Sequence, residues 1–246
     1  KEANMVLPTK KTEIDNRFSS QRFGMLGLAG IGKSEFWAQD ENALFLNTEG
    51  GLNALKVYEI PIRSWGDLRE VYMALKEAND KGEFKYSVIV IDTIDRLIDY
   101  AIEETVNRAK EFYKKIEINT IADIPNGAGW FKEKEMVMNF MTKLELFPCA
   151  IAYIAHLTVK RIKETNSEYD KSTISIGGSL GEDLLAYTDH TLHLESHRIG
   201  DKLQRIVYTL PTQSREAKSR GSMIPNGMKW TDDMKENYKQ FRQFFK

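Results

Sequence analysis

Eight consecutive residues carry the most specific chemical pattern in the sequence. Gly27-Leu28-Ala29-Gly30-Ile31-Gly32-Lys33-Ser34 fits G-x-x-x-x-G-K-[ST] at every fixed position. Glycines let backbone N–H groups wrap phosphate oxygens with no Cβ in the way, and a following helix turns its partly positive N-terminus to the same anion. Lys33 is placed to reach the β- and γ-phosphates of a nucleotide, and the Ser34 hydroxyl to hold Mg2+. The implied ligands are ATP and Mg2+, bound by Gly27 through Ser34 with Glu35 at the edge of the loop. A second chemical position is Asp92, which ends the apolar run SVIVID at 87–92. A carboxylate at the carboxyl end of a central parallel strand lies beside such a loop and can hold Mg2+ through a water. Asp92 or Thr93 can also cap the long helix that follows, and the two roles are compatible. Asp95 reads as a first-turn helix residue.

These groups need strands to aim them. Residues 22–27 (RFGMLG) read as a strand feeding the glycine turn, and Glu35 to Asp40 as the helix after it. Residues 43–47 (ALFLN) form a second apolar run, ended by Thr48-Glu49-Gly50-Gly51, with a third strand at 56–60. Leu68, Val71, Leu75 and Ala78 set a helical spacing over 66–79. The almost continuous apolar run at 87–92 suits a strand covered on both faces, as does 149–155 (CAIAYIA). Amphipathic helices are expected at 94–115 and 131–146, separated by Pro125, Gly127 and Gly129. Residues 157–178 read as a mobile polar loop. Residues 189–195 and 203–210 read as a hairpin around Gly200-Asp201, 211–230 as loop and 231–245 as a last helix. Strands alternating with helices point to an α/β sheet, largely parallel, with an antiparallel hairpin at one edge. The expected organisation is a lead-in at 1–20, a core at 21–230 and a C-terminal helix at 231–246.

The chain's 246 residues suffice for one α/β domain. A hydrophobic fraction of 41% and a charged fraction of 29% match ordinary globular proteins and exclude wholesale disorder. Lys and Arg number 35 against 36 Asp and Glu, for a net charge of −1. No global basic field recruits nucleic acid, so any such surface must be local. The single cysteine, Cys149, excludes an internal disulfide and reads as an inert core residue. His190, His193 and His197 lack a metal-ligand pattern, since His190 and His193 fall on opposite faces of a strand. No apolar run approaches the roughly 20 residues that span a bilayer. No leader pattern is present, and a reducing cytoplasm is the expected location.

Beyond the phosphate loop, Thr48-Glu49-Gly50-Gly51 and Val90-Ile91-Asp92-Thr93-Ile94-Asp95 form a combination that resembles the core of RecA-like P-loop ATPases. More closely, it resembles the phage ATPases of the Sak single-strand annealing group, the phage nucleotide-binding proteins, over about residues 20–225 as an ordering of motifs. An ordinary AAA ATPase carries a glutamate directly after the Walker B aspartate, where this chain has Thr93. The resemblance implies an α/β, RecA-like P-loop NTPase fold, with a mostly parallel central sheet, helices on both faces and an antiparallel edge hairpin. It implies that Glu49 polarises the attacking water and that His156, after the CAIAYIA strand, senses the γ-phosphate. It implies that Lys218 and Arg220 of Lys218-Ser219-Arg220 reach a neighbouring subunit's γ-phosphate. Asn47 stands where relatives often carry Asp, and His156 where a typical recombinase has Gln.

The same resemblance implies two DNA-facing loops, near 117–130 and 157–178. The first holds Trp130, which could stack on a base. The second holds Lys160, Arg161, Lys163 and Lys171 against Glu164, Glu168 and Asp170. Residues 202–246, with ten Lys and Arg against four acids, offer an alternative DNA or subunit surface. The implied activity is Mg2+-dependent, DNA-stimulated ATP hydrolysis acting on single-stranded DNA in phage recombination, by annealing or strand pairing. The implied assembly is a homo-oligomer, ring or filament, with ATP at subunit interfaces and a single-strand binding protein as a further partner. The implied location is the host bacterial cytoplasm. Two rival readings are a helicase-like ring motor and an ATP-gated binding switch with negligible turnover.

Overall fold

A computed structural model describes residues 7–163 and 167–246. In chain order its first half holds β1 (Arg22–Leu26), α1 (Lys33–Trp37), β2 (Ala43–Asn47), β3 (Tyr58–Pro61), α2 (Trp65–Asp80), β4 (Val88–Asp92) and α3 (Ile94–Phe112). The second half holds α4 (Ala128–Leu144), β5 (Ala150–Ala155), β6 (Leu157–Lys163), β7 (Glu168–Ile174), α5 (Gly178–Tyr187), β8 (His190–Ile199), β9 (Lys202–Tyr208), β10 (Lys218–Ser219), β11 (Met228–Trp230) and α6 (Met234–Arg242). Among the described residues, nine strands form one sheet in the order β11-β9-β8-β1-β5-β4-β2-β3, with β10 paired to β8. The strands from β8 across to β3 run parallel. β9 and β10 run antiparallel to β8, and β11 to β9, which makes the expected hairpin edge.

β2, β4 and β5 are buried at every position, which is why their sequences run apolar instead of alternating. Their side chains still alternate between two faces. Ile89, Ile91, Ile151 and Tyr153 enter a core shared with α2 through α5. Val88, Val90, Ala152 and Ile154 enter a second core shared with α1 and α6. Helices therefore cover both faces. No helix among the described residues is long and apolar enough to cross a membrane.

Several expectations change. α1 ends at Trp37, before Asp40, whose carboxylate accepts hydrogen bonds from the Ser87 and Tyr238 hydroxyls, both at 2.5 Å. α4 begins at Ala128, so Trp130 is helical. The stretch expected as a mobile loop forms an antiparallel ribbon of β6 and β7, set apart from the main sheet. Its polar sequence reflects strands that are mostly in contact with water. Residues 164–166 of that stretch, Glu164 included, lie outside the described residues, as do residues 1–6 of the lead-in. α5 carries a weak sequence signal, with glycines at 178 and 181 and no capping side chain. β10 and β11 fall inside 211–230, expected as loop.

Phe18, before β1, and the C-terminal α6 join the second core. Phe18 is 3% exposed and packs on Phe23, Phe241 and Phe245. The Phe18 N–H donates to the Lys246 carbonyl and the Lys246 N–H to that of Asn16. Phe241 touches the rings of Phe18, Phe23, Phe36, Trp37, Tyr238 and Phe245. Phe241→Ala is therefore expected to cost about 3–5 kcal/mol in urea unfolding. A loss under about 0.5 kcal/mol, the ordinary size of a surface change, would show α6 to be peripheral.

Candidate nucleotide-binding site

β1 delivers the phosphate loop at its carboxyl end. Gly32 opens α1 at a φ of 100°, where an L side chain is strained. A Cβ there would also meet Met234 at 2.5 Å and the Arg205 guanidinium at 3.1 Å. An added Cβ at Gly30, with a φ of 74°, would meet nothing within 4 Å, so the loop presents bare backbone on that side. α1 is only five residues long, so its dipole is small and the loop amides and Lys33 must carry most of the attraction for an anion.

Lys33 is 6% exposed, and its Nζ donates to the carbonyls of Gly27 at 2.8 Å and Leu28 at 2.9 Å. Burial pushes its pKa down, while Asp92, Asp95 and Glu49 push it up. The acceptors that hold the ammonium are neutral. A phosphate oxygen would make a stronger, charge-assisted bond with the same group.

The Ser34 hydroxyl donates to Asp92 Oδ2 at 2.6 Å. The two hard oxygen donors read as Mg2+ holders are thus side by side, a donor set that fits Mg2+ beside a nucleotide. Burial pushes the Asp92 pKa up, opposed by the Ser34 hydrogen bond. Glu49 adds to the rise, and Lys33 and His156 oppose it. Glu49 is exposed, and its Oε1 accepts from the Thr93 hydroxyl at 2.6 Å. Thr93 occupies the N-cap position of α3 without capping it, because its hydroxyl is spent on Glu49. Thr48 ties the same strand ends together. Its Oγ1 accepts from the Thr93 N–H at 2.7 Å and donates to the Thr93 carbonyl at 2.9 Å.

Asp95 does more than open a helix. It accepts from the His156 N–H at 3.1 Å and from the Ser175 hydroxyl, and its Oδ2 lies 3.6 Å from His156 Nδ1. Asp95, Thr93, Thr48 and Ser175 form a supporting layer that the motif spacing does not reveal.

The remaining positions lie apart. β10 pairs with the first residues of β8, and His190 stands opposite Phe23, so Lys218 and Arg220 sit at the far end of the sheet from the phosphate loop. Lys218 Nζ donates to the Leu185 and Ala186 carbonyls at the end of α5, and Arg220 pairs with Asp189 at 3.0 Å. Trp130 is 51% exposed in the first turn of α4. Lys160, Arg161 and Lys163 are exposed on β6, where Glu168 takes Arg161 at 2.9 Å and Lys163 at 3.5 Å. The basic stretch 202–246 is largely engaged within the fold: Arg215 binds Glu195 at 2.6 Å and Arg242 covers the Phe18 ring.

The AAA domain family matches residues 19–221. The chain therefore belongs to that family, and its fold is that of a RecA-like P-loop ATPase. No protein with a curated description matches it. Among solved structures it is similar to the flagellar accessory protein FlaH from Methanocaldococcus jannaschii, at 12% identity, covering 83% of this chain and 81% of that one, with a TM-score of 0.45. It is similar to a KaiC-like protein from Pyrococcus horikoshii, at 15% identity over 87% and 90% of the chains, TM-score 0.45. It is also similar to the RadB recombinase, at 13% identity over 87% and 86% of the chains, TM-score 0.46.

The buried Asp92 yields a test. An acid whose pKa is raised by the fold favours folding below its ordinary range, and that contribution is lost as pH rises through the folded value. At neutral pH the desolvated charge opposes folding. Asp92→Asn is therefore expected to raise the melting temperature of the ligand-free protein by roughly 2–4 °C. The same change is expected to weaken Mg2+-ATP binding by about tenfold or more in calorimetry. A lower melting temperature with unchanged binding would contradict both halves.

Proposed function

We propose that this AAA-domain ATPase binds Mg2+-ATP, hydrolyses it with Glu49 orienting the attacking water, and couples the cycle to single-stranded DNA held along the β6–β7 ribbon. The work this suits is annealing or strand pairing in recombination of the phage Sak type. The carrying observation is where the ribbon starts. β6 begins at Leu157, directly after His156, and His156 is bound to Asp95 on the first turn after Asp92. A change of contacts at the γ-phosphate end of the site would therefore act next to the ribbon's first strand.

Lys33 and the loop amides would hold the phosphates, and Ser34 and Asp92 the metal. When bound there, Mg2+ would supply charge neutralisation for a transferring phosphoryl group. Glu49 has one carboxylate oxygen on Thr93, which fixes the side chain and leaves the other to accept a proton from water. On the ribbon, Lys160 has no partner among the described residues, and the ion pairs of Arg161 and Lys163 are exposed. Exposed pairs are worth little, so a DNA phosphate can replace Glu168 as their partner. Trp130 adds an exposed ring for stacking. Arg220 and Lys218 are remote from their own phosphate loop; in the homo-oligomer of this reading, ring or filament, they would leave their present partners to serve a neighbour's ATP.

ATP hydrolysis with and without single-stranded DNA tests this reading. DNA is expected to stimulate turnover, and Glu49→Gln to keep ATP binding while losing about 100-fold or more in rate. Changing Lys160, Arg161 and Lys163 together to Gln is expected to weaken DNA binding. It should also flatten the slope of log affinity against log salt by about 2. Full turnover by Glu49→Gln would remove the assigned role. An unchanged slope would move DNA off the ribbon.

A further inference from the structure

We propose that the cavity between α3, α4 and α5 is a binding site for an organic cation, an ammonium or guanidinium group on a short apolar stem. The cavity measures about 600 Å³ and is separate from the phosphate loop. Its defining group is Glu133, which lines it from α4. Glu133 is 5% exposed, yet among the described residues it has neither a hydrogen bond nor an ion pair. A buried carboxylate without a partner is costly, and burial pushes the Glu133 pKa up to about 7. Trp130 lies one helical turn before it and stands at the rim, 51% exposed.

The surrounding charges select the sign of the ligand. Asp95 and Asp99 line the cavity from α3. Lys134 is the cation in the lining, and Asp183 already holds it at 2.6 Å, with the Ser179 hydroxyl at 3.3 Å. Asp99 holds Arg96 at 3.0 Å, and Asp95 serves His156 and Ser175. The uncompensated charge left in the cavity is therefore negative, which disfavours a phosphate or carboxylate ligand. A neutral apolar ligand would cover the walls but leave Glu133 unpaired. Among the described residues no group of three metal-ligating side chains converges, so a bare metal ion lacks a donor set.

An alkyl ammonium or guanidinium meets each demand. Its head would pair with Glu133 and face the Trp130 ring, a favourable cation–π arrangement. Its stem would lie on Ile98, Ile102, Ile176 and Leu180, as lysine and arginine stems lie on apolar surface. A free diamine and a basic side chain from a second copy of this chain share that chemistry. The inference does not depend on the DNA reading.

The test is calorimetric titration of the full chain with agmatine, using n-pentanol as the neutral control. Agmatine is expected to bind at one site, at least about tenfold tighter than n-pentanol, and Glu133→Gln to weaken it by at least about tenfold. The charged groups around Glu133 are Asp95, Asp99 and Lys134, with Asp183 behind Lys134 and His156 behind Asp95. Burial brings Glu133 into the neutral range. Affinity is therefore expected to rise from pH 6 to pH 8.5. The pH and n-pentanol comparisons need only the unmodified chain and decide the matter should Glu133→Gln fail to fold. Sedimentation with and without agmatine separates the sources. Self-association that agmatine and Glu133→Gln both dissolve identifies a second copy's side chain, and binding without effect on association identifies a free amine. No agmatine binding, equal binding by Glu133→Gln, or n-pentanol binding as well as agmatine would overturn the proposal.

Discussion

One hydrogen bond, from the Ser34 hydroxyl to the Asp92 carboxylate, sets the main demand on this fold: two strands far apart in sequence must end at the same height. β1 and β4 are not neighbours, because β5 lies between them. The parallel ladders keep the level across that gap. Leu26 stands opposite Ala155, and Asp92 opposite Ile154, so the phosphate loop, Asp92 and His156 leave the sheet along one edge. Ligands of open parallel sheets bind outside the carboxyl ends of the strands, and the phosphate loop and Asp92 stand at that edge. The two cores, α2 to α5 on one face and α1 with α6 on the other, hold the strands level.

The electrostatics of the site follow from the same burial. Desolvation pushes the Asp92 acid up and the Lys33 base down, so both groups are driven toward neutrality. A ligand that brings both a cation and phosphate charge reverses each shift. Around this pair the protein spends hydroxyls on positioning. Thr93 orients Glu49, Thr48 fastens Thr93, and Tyr100 donates to the Thr48 and Ile62 carbonyls beneath them. Thr93, in place of an acid directly after Asp92, thus holds a carboxylate that stands just past the end of the neighbouring strand β2.

Much of this was legible before the structure. The phosphate loop is a fixed spacing of backbone-permissive and charged residues, so its sequence is its geometry. β4 and β5 were legible because strands buried on both faces run apolar, and the β8–β9 hairpin because Gly200 turns at a φ of 62°. The β6–β7 ribbon was not, because strands mostly in water lack the apolar signal that marks a strand. α5 was hidden by its glycines, and Asp95 by partners far along the chain, His156 and Ser175, which no local pattern announces. The place of Arg220, at the opposite end of the sheet from the phosphate loop, follows from the pairing of β10 with β8, a tertiary fact.

The central claim is that Ser34 and Asp92 together hold the metal of a bound nucleotide. The most direct measurement is ATP binding by calorimetry in Mg2+ and in EDTA, for the native chain and for Ser34→Ala. If the claim is right, removing Mg2+ weakens ATP binding by the native chain about tenfold or more, and Ser34→Ala shows little difference between the two conditions. Equal affinity in Mg2+ and EDTA for the native chain, or full Mg2+ dependence retained by Ser34→Ala, would contradict it.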